Sequence, residues 1–150
     1  MDDCIFCKIA AHQIPSTVVY EDDKVIAFDD LAPQAPVHTL VIPKDHYANI
    51  IDGVPADVLA AMVNAVSEVA RAKGLDDGFR VIANTGEVAG QTVHHFHMHV
   101  LGGKPLGENL SRDLPQACGS AWSQAHGSLV HGPQSSIPPK RAALQSPYGV

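Results

Sequence analysis

The sequence predicts an α+β fold: a mostly antiparallel five-stranded sheet with one main helix, followed by an irregular C-terminal tail. Three observations lead there. Five separate short runs have β character. One stretch, residues 55–74, clearly carries apolar residues at helical spacing. The composition changes near Arg112, dividing the 150-residue chain into a core over 1–112 and an extension over 113–150.

The elements follow in order. Ser16–Tyr20 and Lys24–Asp29 flank the polar Glu21-Asp22-Asp23 and read as a hairpin. Val37–Ile42 is a β-branched run ended by Pro43, which fits a central strand. The helix comes next, with Pro55 at its first position and Asp57 in its first turn. Val58, Leu59, Met62, Val63, Val66, Val69 and Ala70 recur at i, i+3 or i+4, Arg71 and Lys73 lie in the last turn, and Gly74 ends it. Such a stripe must cover a sheet or another helix. Phe79–Ala83 is a fourth strand, Gly86–Gly90 a loop, and Thr92–Leu101 a fifth strand stopped by Gly102-Gly103. In the tail, half of the 38 residues are Ser, Gly, Pro or Gln, and Asp113, Lys140 and Arg141 carry its only charges. It reads as irregular. The competing reading folds Ala117–Val130, with Trp122 and Leu129, back on the core.

Composition removes several function classes. The longest unbroken apolar run is Val58–Val63, far short of the ~20 residues of a membrane helix. The Met-Asp-Asp start has no basic or apolar region of the signal-peptide kind, so the expectation is a cytoplasmic protein without membrane partners. A net charge of −6 speaks against sequence-independent nucleic-acid binding, which needs a basic field. A phosphorylated substrate would have to be held by local backbone N–H groups and histidines. Three cysteines, an odd number, argue against a disulfide scaffold and suit a reducing compartment.

The most informative segment is His94-His95-Phe96-His97-Met98-His99. On a strand, alternate side chains share a face. His95, His97 and His99 then lie together, while His94, Phe96, Met98 and Val100 form a mostly apolar opposite face. An exposed, fortuitous histidine-rich strand fits this regular alternation poorly. A metal site made of all three rings strains the spacing, because neighbours on one face are ~6.6 Å apart and the outer pair ~13 Å. Zinc–nitrogen bonds are only ~2.0–2.1 Å. Catalysis fits better: imidazole titrates near pH 6.5, so the middle ring is largely neutral at pH 7 and can act as nucleophile or general base. Asn84-Thr85-Gly86 and Ala89-Gly90-Gln91-Thr92, just upstream, offer small residues and backbone N–H groups for a phosphate.

Cys4-x-x-Cys7 has three readings. A redox motif needs a preceding strand, and only three residues precede Cys4. A zinc half-site needs two further ligands. The two thiols could also be small core residues. Cys118 reads as a plain thiol.

Gly90-Gln91-Thr92-Val93-His94-His95-Phe96-His97-Met98-His99-Val100-Leu101 resembles the His-φ-His-φ-His-φ-φ signature of the histidine-triad (HIT) superfamily. Ile5-Phe6-Cys7-Lys8-Ile9, Ala27-Phe28-Asp29-Asp30, Pro33–His38 and Leu40–Lys44 resemble its Hint branch, the purine nucleoside phosphoramidases. Leu101-Gly102-Gly103 points the same way, since the diadenosine-polyphosphate hydrolases usually carry Leu-Pro-Arg there. The likeness covers residues 4–107.

The resemblance implies a HIT-like fold, a homodimer and a substrate with a purine nucleotide. It implies cleavage of the P–N bond of nucleoside 5′-phosphoramidates such as AMP-lysine, through a nucleotidyl-histidine on His97. His38 and His99 would orient His97 and contact phosphate, with His95 completing the triad. Asn84, Gly90, Thr92 and Val93 would hold the phosphoryl oxygens, and Asp30 the ribose hydroxyls. Ile5, Phe6, Ile9, Phe28, Asp29 and Leu31 would form the purine slot. Without the resemblance, Ile5, Phe6 and Phe28 read better as core, and Asp29-Asp30 as a solvated turn. The pattern of bacterial-type members implies one structural zinc per chain on Cys4, Cys7, His46 and His95. Two other functions compete: diadenosine-polyphosphate hydrolysis, and a non-catalytic purine-nucleotide-binding scaffold.

Overall fold

A computed structural model describes residues 3–108. The readings of the 113–150 extension, of a fold-back at Ala117–Val130 and of Cys118 lie outside the described residues.

The chain begins with a helix the sequence reading did not contain, α1 (Ile5–Ala10). The Cys4 sulfur caps it, accepting from the Cys7 N–H at 3.5 Å. Six residues are too few to hold a helix by propensity; Phe6 and Ile9, buried against the sheet, supply the packing. β1 (Val18–Glu21) and β2 (Val25–Asp29) form the expected hairpin. One Asp22 carboxylate oxygen accepts from the N–H groups of Lys24 at 2.8 Å and Val25 at 2.9 Å, which closes the turn. β3 (Val37–Pro43) pairs with the whole of β2 through Thr39–Pro43.

The main helix, α2, spans Ala56–Ala72, so Pro55 sits one place earlier than expected, at the cap. Gly74, at φ +65°, closes its other end: the Gly74 N–H reaches the Arg71 carbonyl and the Leu75 N–H that of Ala70. β4 (Arg80–Ile82), a 3-10 turn at Glu87–Ala89 and β5 (Met98–Gly102) complete the fold. The expected five-stranded sheet has the order β1-β2-β3-β5-β4, and all four pairings are antiparallel, where the sequence predicts mostly antiparallel ones. No helix among the described residues is long and apolar enough to cross a membrane.

The fifth strand is shorter than expected, because residues 92–97 join no ladder. One group of this stretch, and one from Gln91 just before it, bond to the chain after β3 instead. The Phe96 N–H donates to the Tyr47 carbonyl at 2.6 Å, and the Gln91 amide to that of Ala48 at 2.6 Å. Side-chain parity nonetheless survives from residue 96 onward. Phe96, Met98 and Val100 pack with Met62, Val66 and Val69 beneath α2. His97 and His99 face the other way, toward Phe6 and Ile9 of α1. His94, expected on the apolar face, is exposed.

Candidate functional site

The sheet face under α1 holds a cavity of about 290 Å³. Of the residues expected at a site, Ile5, Phe6, Ile9, Phe28, Asp29, Asp30, Leu31, Thr92, Val93, His97 and His99 line it. His38 stands behind His99, and His95 turns to a separate cluster. Asn84 and Gly90 are not in the wall. The wall has apolar flanks and a histidine end, as ligand pockets usually do.

The carboxylates of the Asp29-Asp30 pair separate because strand neighbours point to opposite faces. Asp29 accepts from the Thr39 hydroxyl at 2.8 Å and from Lys73 Nζ at 2.7 Å, so its charge is spent on the α2 side. Asp30 accepts from the Ala32 N–H at 2.8 Å and places its second oxygen 3.5 Å from His38 Nε2.

Backbone partners assign the tautomers of the buried histidines. His97 donates Nδ1–H to the His95 carbonyl at 2.7 Å, leaving Nε2 with its lone pair as the free edge of a cavity-lining ring. His38 Nδ1 accepts from the Gln34 N–H at 3.1 Å, so its proton is on Nε2. That N–H meets His99 Nδ1 at 2.9 Å, which leaves His99 an Nε2–H donor. The His97 and His99 rings are 4.9 Å apart between centroids. Burial holds all of them below the ordinary imidazole pKa, His99 at about 3, against an opposing pull on His38 and His97 from Asp30. They are neutral at pH 7. The arrangement offers a nucleophilic nitrogen beside a hydrogen-bond donor, both screened from water.

A second cluster joins three distant parts of the chain. Cys4 Sγ, Cys7 Sγ, His46 Nδ1 and His95 Nδ1 all lie within 4.8 Å of one another. Sulfur–nitrogen separations are 3.4 Å for Cys4–His95, 3.3 Å for Cys7–His46 and 3.4 Å for Cys7–His95. The edges of a zinc tetrahedron with two sulfurs and two nitrogens are about 3.3–3.8 Å, so the four donors fit such an ion. His95 donates Nε2–H to the Pro43 carbonyl at 2.9 Å, which turns the lone pair of Nδ1 inward, as a metal ligand requires. Burial holds His95 at about 4, and burial beside the Cys4 sulfur pushes the Cys7 thiol up to about 11. A cation among these donors would offset the cost of a thiolate there.

The HIT domain family model matches residues 11–106. This chain belongs to the HIT domain family. A purine nucleoside phosphoramidase of Escherichia coli K12 is 44% identical over 114 residues, covering 73% of this chain and 95% of that protein. A 14 kDa zinc-binding protein of Brassica juncea is 44% identical over 113 residues, covering 69% and 96%. Among solved structures, a HIT family hydrolase from Clostridium thermocellum superposes with a TM-score of 0.70 at 45% identity, covering 73% of this chain and 98% of that one.

Other parts of this HIT protein's site are absent from the sequence reading. Ile14, Pro15, Ser16, Ala32 and Leu40 also line the cavity. Gln91 is 3% exposed and ties the loop together: it accepts from the Gly86 N–H at 2.9 Å and donates to the Ala48 and Val93 carbonyls at 2.6 and 3.1 Å. Its one sequence signal is a long amide between glycine-rich turns.

Proposed function

We propose that this HIT protein is a nucleotide hydrolase that cleaves the P–N bond of purine nucleoside 5′-phosphoramidates. The observation that carries this reading is the Nδ1–H of His97 on the His95 carbonyl, which leaves Nε2 free at the cavity. The phosphoramidase of E. coli supports the choice of substrate. In the first step the Nε2 lone pair bonds to the α-phosphorus and the P–N bond breaks. The leaving amine takes a proton from solvent. Water then bonds to phosphorus, Nε2 departs with its lone pair, and the surplus proton returns to solvent. The Nδ1–H of His97 stays on the His95 carbonyl, which steadies the cationic intermediate. His99 Nε2–H, with Thr92 and Val93, holds the phosphoryl oxygens, Asp30 takes the ribose, and Ile5, Phe6, Ile9, Phe28 and Leu31 clasp the purine.

In the same reading Cys4, Cys7, His46 and His95 hold a structural zinc, which the zinc-binding relative and the donor geometry support. The protein pairs as a homodimer through the edge strand β4 and the outer face of α2, where Phe79, Val81 and Val63 are exposed. It works in the cytoplasm, where thiols stay reduced. Residues 1–112 form the working domain.

The test is His97→Asn assayed on adenosine 5′-phosphoramidate of lysine. Loss of a nucleophile lowers turnover by at least about 10³-fold. Turnover at the wild-type rate removes the proposed nucleophile.

A further inference from the structure

We propose that the Cys4–Cys7–His46–His95 centre and the nucleotide pocket are energetically coupled through α1 and His95, so that metal and nucleotide bind cooperatively. The inference rests on the nucleotide and zinc readings above and adds a linkage between them.

Three observations meet here. First, α1 belongs to both sites. Cys4 at its N-cap and Cys7 in its first turn are the sulfur donors, and its residues Ile5, Phe6 and Ile9 form one wall of the cavity. A six-residue helix does not persist alone, so whatever fixes its first turn fixes the wall. Second, His95 is bifunctional. Its ring donates to the centre, while its carbonyl receives the Nδ1–H of His97 at 2.7 Å. Displacing the ring moves the group that fixes the nucleophile's tautomer. Third, the Phe6 ring stands edge-on to both imidazoles, 5.9 Å from His95 and 5.2 Å from His97 between centroids, and 5.8 Å from Phe28 on the far wall. It sits between Cys4 and Cys7 in sequence and between the two sites in space.

The element with two arrangements is α1, docked or undocked. A metal ion that draws the four donors together favours the docked arrangement. A purine against Ile5, Phe6 and Ile9 favours the same one. Each ligand must then raise the affinity for the other by one common factor.

The experiment uses the full chain, AMP as the pocket probe and Zn²⁺ alone as the metal. AMP affinity is measured by calorimetry on zinc-loaded and metal-free protein, with circular dichroism checking that α2 is retained. Zinc affinity is measured against a chromophoric chelator, with and without saturating AMP. The expected result is AMP binding at least about fivefold tighter with zinc, and zinc held tighter by the same factor with AMP. Phe6→Leu is expected to keep one zinc per chain while its coupling factor falls toward one. If the metal-free chain unfolds, zinc transfer to the chelator decides: slowing by AMP in wild type but not in Phe6→Leu supports the coupling, and equal slowing overturns it. AMP that binds both forms with affinities within twofold also overturns it. A chain that binds no AMP in either form defeats the nucleotide reading itself, and the coupling with it.

Discussion

His38 donates its Nε2–H to Nδ1 of His99 across 2.9 Å, so a histidine outside the cavity wall sets the tautomer of one inside it. The Gln34 N–H on His38 Nδ1 fixes the direction of that bond.

Removing the donor is therefore expected to harm catalysis without touching the nucleophile. In His38→Ala, His99 Nδ1 loses its partner in a buried place and the ring is free to reverse its tautomer. A lost hydrogen bond of about 1–3 kcal/mol corresponds to a kcat/KM lower by about tenfold to a hundredfold. Steady-state kinetics on the lysine phosphoramidate check this; an unchanged kcat/KM would separate His38 from the reaction.

Acid should weaken the fold through the same rings. Burial holds His99 at about 3 and lowers His38, whereas an unfolded chain binds their protons near pH 6.5. The unfolded state then carries more protons below pH 6.5, so stability falls as pH falls, down toward the folded value. For His99 alone the loss between pH 6.5 and 5 is roughly 1.5 kcal/mol. Urea midpoints across that range measure it, and His99→Gln should flatten the slope.

Metal removal is expected to loosen the N-terminal segment. Purified protein should carry one zinc per chain, absent from Cys4→Ser. Loss of about 2 kcal/mol of linkage in a domain of this size lowers the Tm by roughly 10 °C. Elemental analysis and a thermal melt with and without chelator give the answer; metal-free protein melting at the same temperature would remove the structural role.

Gln91→Ala strips three backbone groups of their partner, the Gly86 N–H and the carbonyls of Ala48 and Val93. The expected cost is about 2–3 kcal/mol in urea unfolding, as for a buried hydrogen-bonding group left unmatched. A variant within 0.5 kcal/mol of wild type, in a range typical of exposed positions, would show that water replaces the amide.

Much of this fold was legible because period and punctuation agree. The hairpin around Asp22 and the helix ended by Gly74 each carry a local signal that the packing then confirms. α1 carries none. Its six residues give Ile5, Phe6 and Ile9 only a single turn of apolar spacing, too short a run to mark a helix, and it exists because Phe6 and Ile9 are buried against strands far along the chain. The first half of the expected fifth strand failed for the same reason in reverse: β propensity at 92–97 gave way to bonds from Phe96 to Tyr47 and from His95 to Pro43. In the site, alternation alone placed His97 and His99 on one face. The Cys4–His95 and Cys7–His46 contacts span 91 and 39 residues and needed the family likeness to be foreseen. The wall at Ile14-Pro15-Ser16 comes from an irregular connection, where no period marks the inward side.

The alternation between Phe96 and Val100 has a genetic corollary. Adding or deleting one codon within it would exchange inside for outside: imidazoles would be driven into the grease beneath the long helix, and a phenyl ring into the cleft. A point change along this stretch can leave the facing of every other side chain in place. A frame-preserving indel of a single residue cannot, and the reading distance from the central histidine to the last is thereby locked at two.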